Sequence, residues 1–187
     1  MKIGILGSYF NPPHLGHLLV AEQCLAFAGF DKVWFLPGLK STFNKELIPV
    51  SHRLNMIKLV TLPRTEVSTL EIDYQLDGNT INLVPFLRKQ YPHDQFTFII
   101  GSDQLSSFHR WGNWQELLRL LPFLVFPRAG YPNKPLYPGM KLLEHKLLVV
   151  TNISSTLIRE RVKNGSSISS LVPLKAENYI RKHCLYR

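Results

Sequence analysis

Short apolar runs alternate along the chain with stretches in which apolar residues recur every three or four positions. Residues 2–6 predict a buried strand and residues 18–27 a helix that Gly29 stops. Residues 33–36 predict a second strand, closed by Pro37-Gly38. A helix follows over 51–62, with Ser51 as a cap, then a third strand over 67–72. Residues 80–89 are helix-like and end before Pro92, and 96–100 form a clear strand followed by Gly101. A short helix over 114–121 leads to a strand over 123–126, and 147–150 is read as the last strand. Helices over 155–163, stopped by Asn164-Gly165, and 174–182 complete the pattern.

This alternation predicts an α/β fold, a Rossmann-like doubly wound parallel sheet with helices on both faces. Runs such as Phe98-Ile99-Ile100 suit strands buried on both sides. The expected organisation is a single domain over 1–187, with a helical C-terminal portion from about 151. Two segments are irregular: 37–50, whose Gly38 suits a lid, and the proline-rich 127–146. Ligands of such sheets bind beyond the carboxyl ends of the strands, so chemistry is expected just after Leu6, Leu36, Ile100 and Val150.

Composition narrows the class. With 187 residues, 45% apolar and 19% charged, the chain can bury a substantial core and is neither disordered, collagenous nor disulfide-stapled. Cys24 and Cys184 lie far apart, without ligand-like spacing, and read as reduced thiols of a cytoplasmic protein. No apolar run is long enough for a membrane span or a signal-peptide core. A net charge of +9 favours anionic partners, phosphate esters or nucleic acid. A nucleic-acid-binding module would interleave basic and aromatic residues on one surface, whereas the basic residues here are spread along the chain.

Three segments carry candidate chemistry. Gly7-Ser8-Tyr9-Phe10-Asn11-Pro12-Pro13-His14-Leu15-Gly16-His17 follows the first strand. Gly7 permits a tight exit, Gly16 offers a smooth surface for a nucleotide, and His14 and His17 can face one site at a helix start, where orphan N–H groups attract phosphate. The Gly-x-Gly-x-x-Gly pattern of dinucleotide-binding oxidoreductases is not met, because Phe10 stands in the place of its next glycine, and no Walker-type loop is present. Ile153-Ser154-Ser155-Thr156-Leu157-Ile158-Arg159 forms a second anion cradle, with Arg159 one turn beyond Ser155. In Phe98-Ile99-Ile100-Gly101-Ser102-Asp103 the Asp103 carboxylate suits ribose hydroxyls and a helix cap equally well. Trp114 reads as core; Trp111 is open to core packing or stacking on a heterocycle.

These segments resemble the nicotinate-mononucleotide adenylyltransferases of the bacterial type, within the nucleotidyltransferases that carry a His-x-Gly-His signature. Gly7 to His17 is similar to the family's Gly-Gly-Thr-Phe-Asp-Pro-x-His-x-Gly-His, and Phe98 to Trp111 to its Phe-Ile-Ile-Gly-x-Asp…Trp. Ile153 to Arg159 matches Ile-Ser-Ser-Thr-x-Ile-Arg, and the tail Leu171-Val172-Pro173…Tyr179-Ile180…Leu185-Tyr186 is also similar. The resemblance implies adenylyl transfer from ATP to nicotinate mononucleotide, with magnesium accompanying ATP and no metal site built from side chains. Nicotinamide mononucleotide and phosphopantetheine are the alternative acceptors. It implies catalytic roles for His14, His17 and Arg159, and ATP contacts for Gly7, Ser8, Tyr9, Gly16, Gly101, Asp103, Ser154, Ser155 and Thr156. Lys45, Thr80 and Trp111 would serve the mononucleotide: a phosphate contact, the ring carboxylate and ring stacking. Three departures stand out. Gly7-Ser8 replaces Gly-Gly, Ser41-Thr42-Phe43-Asn44-Lys45 replaces a Pro-Pro-His-Lys loop, and Gly78-Asn79-Thr80 replaces Ser-Tyr-Thr. Neither a nucleic-acid nor a membrane partner is expected, and self-association is left open.

Overall fold

A computed structural model of the protein describes residues 1–41 and 46–187. Six strands form one sheet, β1 (Lys2–Ser8), β2 (Lys32–Pro37), β3 (Thr65–Val67), β4 (Gln95–Gly101), β5 (Phe123–Phe126) and β6 (Met140–Leu142). Their order is β3-β2-β1-β4-β5-β6, and every neighbouring pair is parallel. The chain leaves β1 in one direction and resumes beside it at β4, so the strand order reverses between these two strands. That reversal opens a crevice at their carboxyl ends.

Both faces of the sheet are apolar, as parallel strands require. Ile3, Ile5, Trp34, Leu36, Phe98, Ile100, Phe123 and Val125 point to one face. There they meet Leu70 of α3 (Leu70–Asp73), Val84 and Leu87 of α4 (Val84–Gln90), and Leu117 of α5 (Trp114–Leu120). Leu6, Val33, Phe35, Ile99, Leu124 and Phe126 point to the other and pack on Ala21 and Cys24 of α1 (Leu15–Phe27) and Ile57 of α2 (Val50–Lys58). A third cluster joins Met56 and Val60 to Ile158 of α6 (Ser155–Lys163) and to Ala176 and Ile180 of α7 (Leu174–Lys182). Burying a side chain of this size contributes about 1.5–3 kcal/mol, so these faces anchor the loops that carry the polar residues.

Several expected elements shift. The first helix begins at Leu15 rather than 18, and the second runs over Val50–Lys58 with Pro49, not Ser51, at its N-cap. The third strand is Thr65–Val67, and 70–73 turn into a helix because the Ile72 and Asp73 amides donate to the Thr69 carbonyl. Residues 80–83 are 3-10 and 84–90 α-helical. The largest correction concerns 147–150, which is not a strand. Leu147 and Val149 are 65% and 57% exposed, and the backbone of Val149 is held at both ends by the Gln23 side-chain amide. The sheet ends instead on β6, inside the proline-rich segment, paired to β5 with Phe123 opposite Met140.

Candidate active site

β1 delivers the chain to the crevice, and the turn after it places two imidazoles at the start of α1. His14 is the N-cap residue, and its backbone N–H donates to Nδ1 of His17 at 3.3 Å. The rings stack, 3.7 Å apart and 28° from parallel, and Phe10 lies 4.6 Å from the His17 ring. Nε2 of His17 lies 3.1 Å from Ser8 Oγ. A Cβ on Gly16 would lie 2.9 Å from His14 Nδ1 and 3.4 Å from the Ile153 carbonyl oxygen. Gly16 therefore makes room for the His14 ring as well as lining the cleft. Gly7 lies within β1, where a Cβ would collide with the Phe98 ring.

Both imidazoles are neutral near pH 7. Burial, with help from the Arg128 charge, lowers His14 to about 3. Burial first, then His14 and Arg128, hold His17 well below the usual imidazole range. The histidines therefore act as hydrogen-bonding groups. The permanent positive charge on the cleft wall comes from arginine.

At the end of β4, Gly101 and Asp103 line the same cleft. A Cβ on Gly101 would collide with the Asp103 carboxylate, and it would meet the Arg128 stem at 2.8 Å. Arg128 lies two residues beyond β5, 3.5 Å from Asp103 Oδ2, and donates to the Ile153 carbonyl at 2.6 Å. It clamps the ends of β4 and β5 to the segment that leads into α6. Its side chain is one-fifth exposed and lines the cleft.

The second cradle lies behind the first. Ser154 caps α6 by accepting the Leu157 amide at 3.2 Å. Ser155 Oγ donates to the Pro12 carbonyl at 2.8 Å, and Arg159 Nη1 donates to the Asn11 carbonyl at 2.9 Å. Arg159 Nη2 reaches Thr156 Oγ1 at 3.3 Å. Thr151 and Ile153 line the cleft, whereas Ser155 and Arg159 brace the 11–13 loop against α6, and Ser154 and Thr156 bond within the start of α6. The start of α6 thus adjoins the loop that carries His14, with the Arg159 guanidinium turned onto that loop's backbone.

The cleft encloses about 580 Å³, enough for a small ligand. Leu6, Gly7, Ser8, Tyr9, His14, Gly16 and His17 form one wall; Thr80, Trp111, Asn79 and Gly112 form another. Trp111 meets Phe98 edge-on at 6.1 Å and Phe108 at 5.0 Å, and its buried Nε1 has no hydrogen-bond partner among the described residues. Trp114 packs against Phe108 and Tyr137, away from the cleft, as a core residue. Thr80 is buried. Lys45 and the middle of the 37–50 segment lie outside the described residues.

Several polar residues at the site were missed in the sequence, among them Arg128, Glu71 and Asp77 on the cleft wall and Arg53 behind it. Arg128 stands after a strand to which the carboxyl-end rule applies equally, and that rule could have found it. Arg53, 1% exposed, donates to the carbonyls of Tyr9 and Gly38 at 2.8 Å each and to those of Leu39 and Ile48. Glu71 is buried at the cleft edge, where burial raises its pKa to about 7 against the opposing Leu39 amide at 3.3 Å. Neither stands in a pattern that a sequence would single out. Asp77, exposed at the rim, is held below the usual carboxylate range by hydrogen bonds from the Asn79 side chain and backbone. Among the described residues no group of three or more His, Cys, Asp or Glu side chains forms a metal cage. No described helix is long and apolar enough to cross a membrane.

Residues 5–161 match the model of the cytidylyltransferase-like family. The chain is 37% identical to a "probable nicotinate-nucleotide adenylyltransferase" of Lactiplantibacillus plantarum, over 99% of this chain and 88% of the relative. It is 35% identical to the nicotinate-nucleotide adenylyltransferase of Bacillus subtilis, over 99% and 98%. Among solved structures, the Plasmodium falciparum nicotinic acid mononucleotide adenylyltransferase complexed with NaAD superposes with a TM-score of 0.85 at 21% identity, covering 99% of this chain and 97% of that one. The same Plasmodium enzyme complexed with APC gives 0.82. These two likenesses bear on the fold.

Proposed function

The chain belongs to the cytidylyltransferase-like family and, within it, to the nicotinate-nucleotide adenylyltransferases, and we infer from that membership that it transfers the adenylyl group of ATP to nicotinate mononucleotide. An oxygen of the mononucleotide phosphate attacks the α-phosphorus, the bond from that phosphorus to the β-bridging oxygen breaks, and pyrophosphate leaves with the electron pair. The products are nicotinate adenine dinucleotide and pyrophosphate, a step in making NAD. The observation that carries this reading is the paired imidazole wall at the start of α1, facing the crevice where the strand order reverses.

The attacking phosphate is already an anion, so the protein needs no general base. Its task is to bring two anions together and to stabilise charge on the α-phosphate and the leaving group. In this reading His14 and His17 serve the ATP phosphates as neutral donors, with His17 at the group transferred. Gly7, Ser8, Tyr9 and Gly16 provide the surface beside them. Asp103 takes the adenosine ribose hydroxyls, with Gly101 beneath. Trp111 stacks on the pyridine ring, Thr80 serves its carboxylate, and Lys45 the mononucleotide phosphate.

Ser154, Ser155, Thr156 and Arg159 serve the β- and γ-phosphates. For Arg159 this means exchanging its bond to the Asn11 carbonyl for phosphate oxygens when ATP arrives. Magnesium would accompany the triphosphate, whose oxygens suit a hard cation without a side-chain cage. When bound, it neutralises phosphate charge.

The test is pyrophosphate release with ATP and each of nicotinate mononucleotide, nicotinamide mononucleotide and phosphopantetheine. The expected result is turnover with the nicotinate compound well above the other two. A folded protein that turns over neither pyridine mononucleotide contradicts the assignment.

A further inference from the structure

Ser8 stands where the resemblance pattern has glycine, and it has become the end of a directed hydrogen-bond chain. The His14 backbone N–H can only donate, so His17 Nδ1 must present its lone pair. The neutral ring then carries its proton on Nε2 and donates to Ser8 Oγ at 3.1 Å. The Phe10 amide donates to the same oxygen at 3.4 Å. Both acceptor positions of Ser8 Oγ are then filled. The hydrogen left to place is its own O–H, and Ser8 lines the cleft.

We propose that Ser8 is a further catalytic residue of the adenylyl transfer, its O–H donating to the phosphate being transferred while His17 acts through it. The proposal rests on the function proposed above and specifies how the histidine's donor reaches substrate. Each link polarises the next, so negative charge growing on a phosphate oxygen is met by a chain anchored on a backbone N–H. No imidazolium is required. With glycine at this position the imidazole would face the phosphate itself; with serine the hydroxyl stands between them. An alanine would be worse than either, because its methyl group fills the gap and donates nothing.

The experiment compares wild type with Ser8→Ala, Ser8→Thr and Ser8→Gly by kcat, both KM values and thermal midpoint. Losing one such donor typically costs roughly 10²–10³ in rate. Because the imidazole remains, the expected loss in kcat for Ser8→Ala is about tenfold or more, with both KM values within about threefold. Ser8→Thr stays near wild type. Ser8→Gly loses less kcat than Ser8→Ala despite the larger change to the backbone. A merely structural serine would not give that order.

A second readout does not need turnover: nitrogen-15 and proton NMR of the ligand-free protein. The His17 ring is expected to be protonated on Nε2, with that proton slow to exchange in wild type and lost to exchange in Ser8→Ala. Ser8→Ala with wild-type kcat, or His17 protonated on Nδ1, overturns the proposal. A wild type that makes no pyrophosphate with any mononucleotide overturns the function, and the NMR result then decides the Ser8–His17 link alone.

Discussion

At the scale of single residues, the site is defined by imidazoles kept neutral. His14 is 4% exposed and titrates near 3, while in the unfolded chain it takes up a proton near 6.5. Between those values the unfolded state binds more protons, so the free energy of unfolding falls as pH drops from about 6.5 towards 3. Glu71 works in the opposite sense. It holds its proton up to about 7 when folded but loses it near 4.5 when unfolded, so its contribution fades as pH rises through that window. Denaturant titrations across pH should therefore show a fall in stability towards pH 3 that flattens in His14→Gln. Between about 4.5 and 7, where the two contributions oppose each other, Glu71→Gln should make stability rise more steeply with pH than in wild type. Parallel curves for wild type and variant would contradict these signs. His17→Ala is expected to lower kcat about 100-fold or more, by analogy with removal of an oxyanion donor. Steady-state assays check this, and activity near wild type would remove His17 from the chemistry.

At the scale of elements, the loops around the cleft are held by side chains that replace missing strands and caps. Arg53 on α2 satisfies four carbonyls from 9, 38, 39 and 48. Arg53→Met would leave those buried acceptors without their donor. At about 1–3 kcal/mol for each acceptor that water cannot reach, the expected loss is roughly 3 kcal/mol or more, read by denaturant unfolding. A loss below about 1 kcal/mol would mean that water replaces the guanidinium. The same principle separates what the sequence discloses from what it hides. β1, β2, β4 and β5 are continuous apolar runs because both faces are buried, and pattern alone finds them. Residues 147–150 have the same apolar character, but the Gln23 amide pins the Val149 backbone and leaves Leu147, Val149 and Val150 exposed, with only Leu148 turned to the core, and apolarity does not report hydrogen-bond partners. β6 has three residues, too few for a period to emerge. His14, His17, Gly101 and Asp103 were legible because a strand end and a helix start announce them. Glu71 reaches the cleft from α3 and Arg53 on α2 braces its loops from behind, and only tertiary packing brings them there.

At the scale of the molecule, one sheet order accounts for the site. The reversal between β1 and β4 opens the crevice, and the termini of α1 and α6 adjoin the loop that fills its mouth. Net charge of +9 biases the approach of anionic substrates, while the permanent positive charge on the cleft wall comes from Arg110 and from Arg128, the latter paired with Asp103. In this account the mononucleotide phosphate is the nucleophile and the α-phosphorus of ATP is the centre attacked. The most direct test is to label the phosphate oxygens of nicotinate mononucleotide with oxygen-18 and follow the products by phosphorus-31 NMR. That attack predicts label in the oxygen bridging the two phosphorus atoms of the dinucleotide and none in pyrophosphate. Label in pyrophosphate, or an unlabelled bridge, would contradict it.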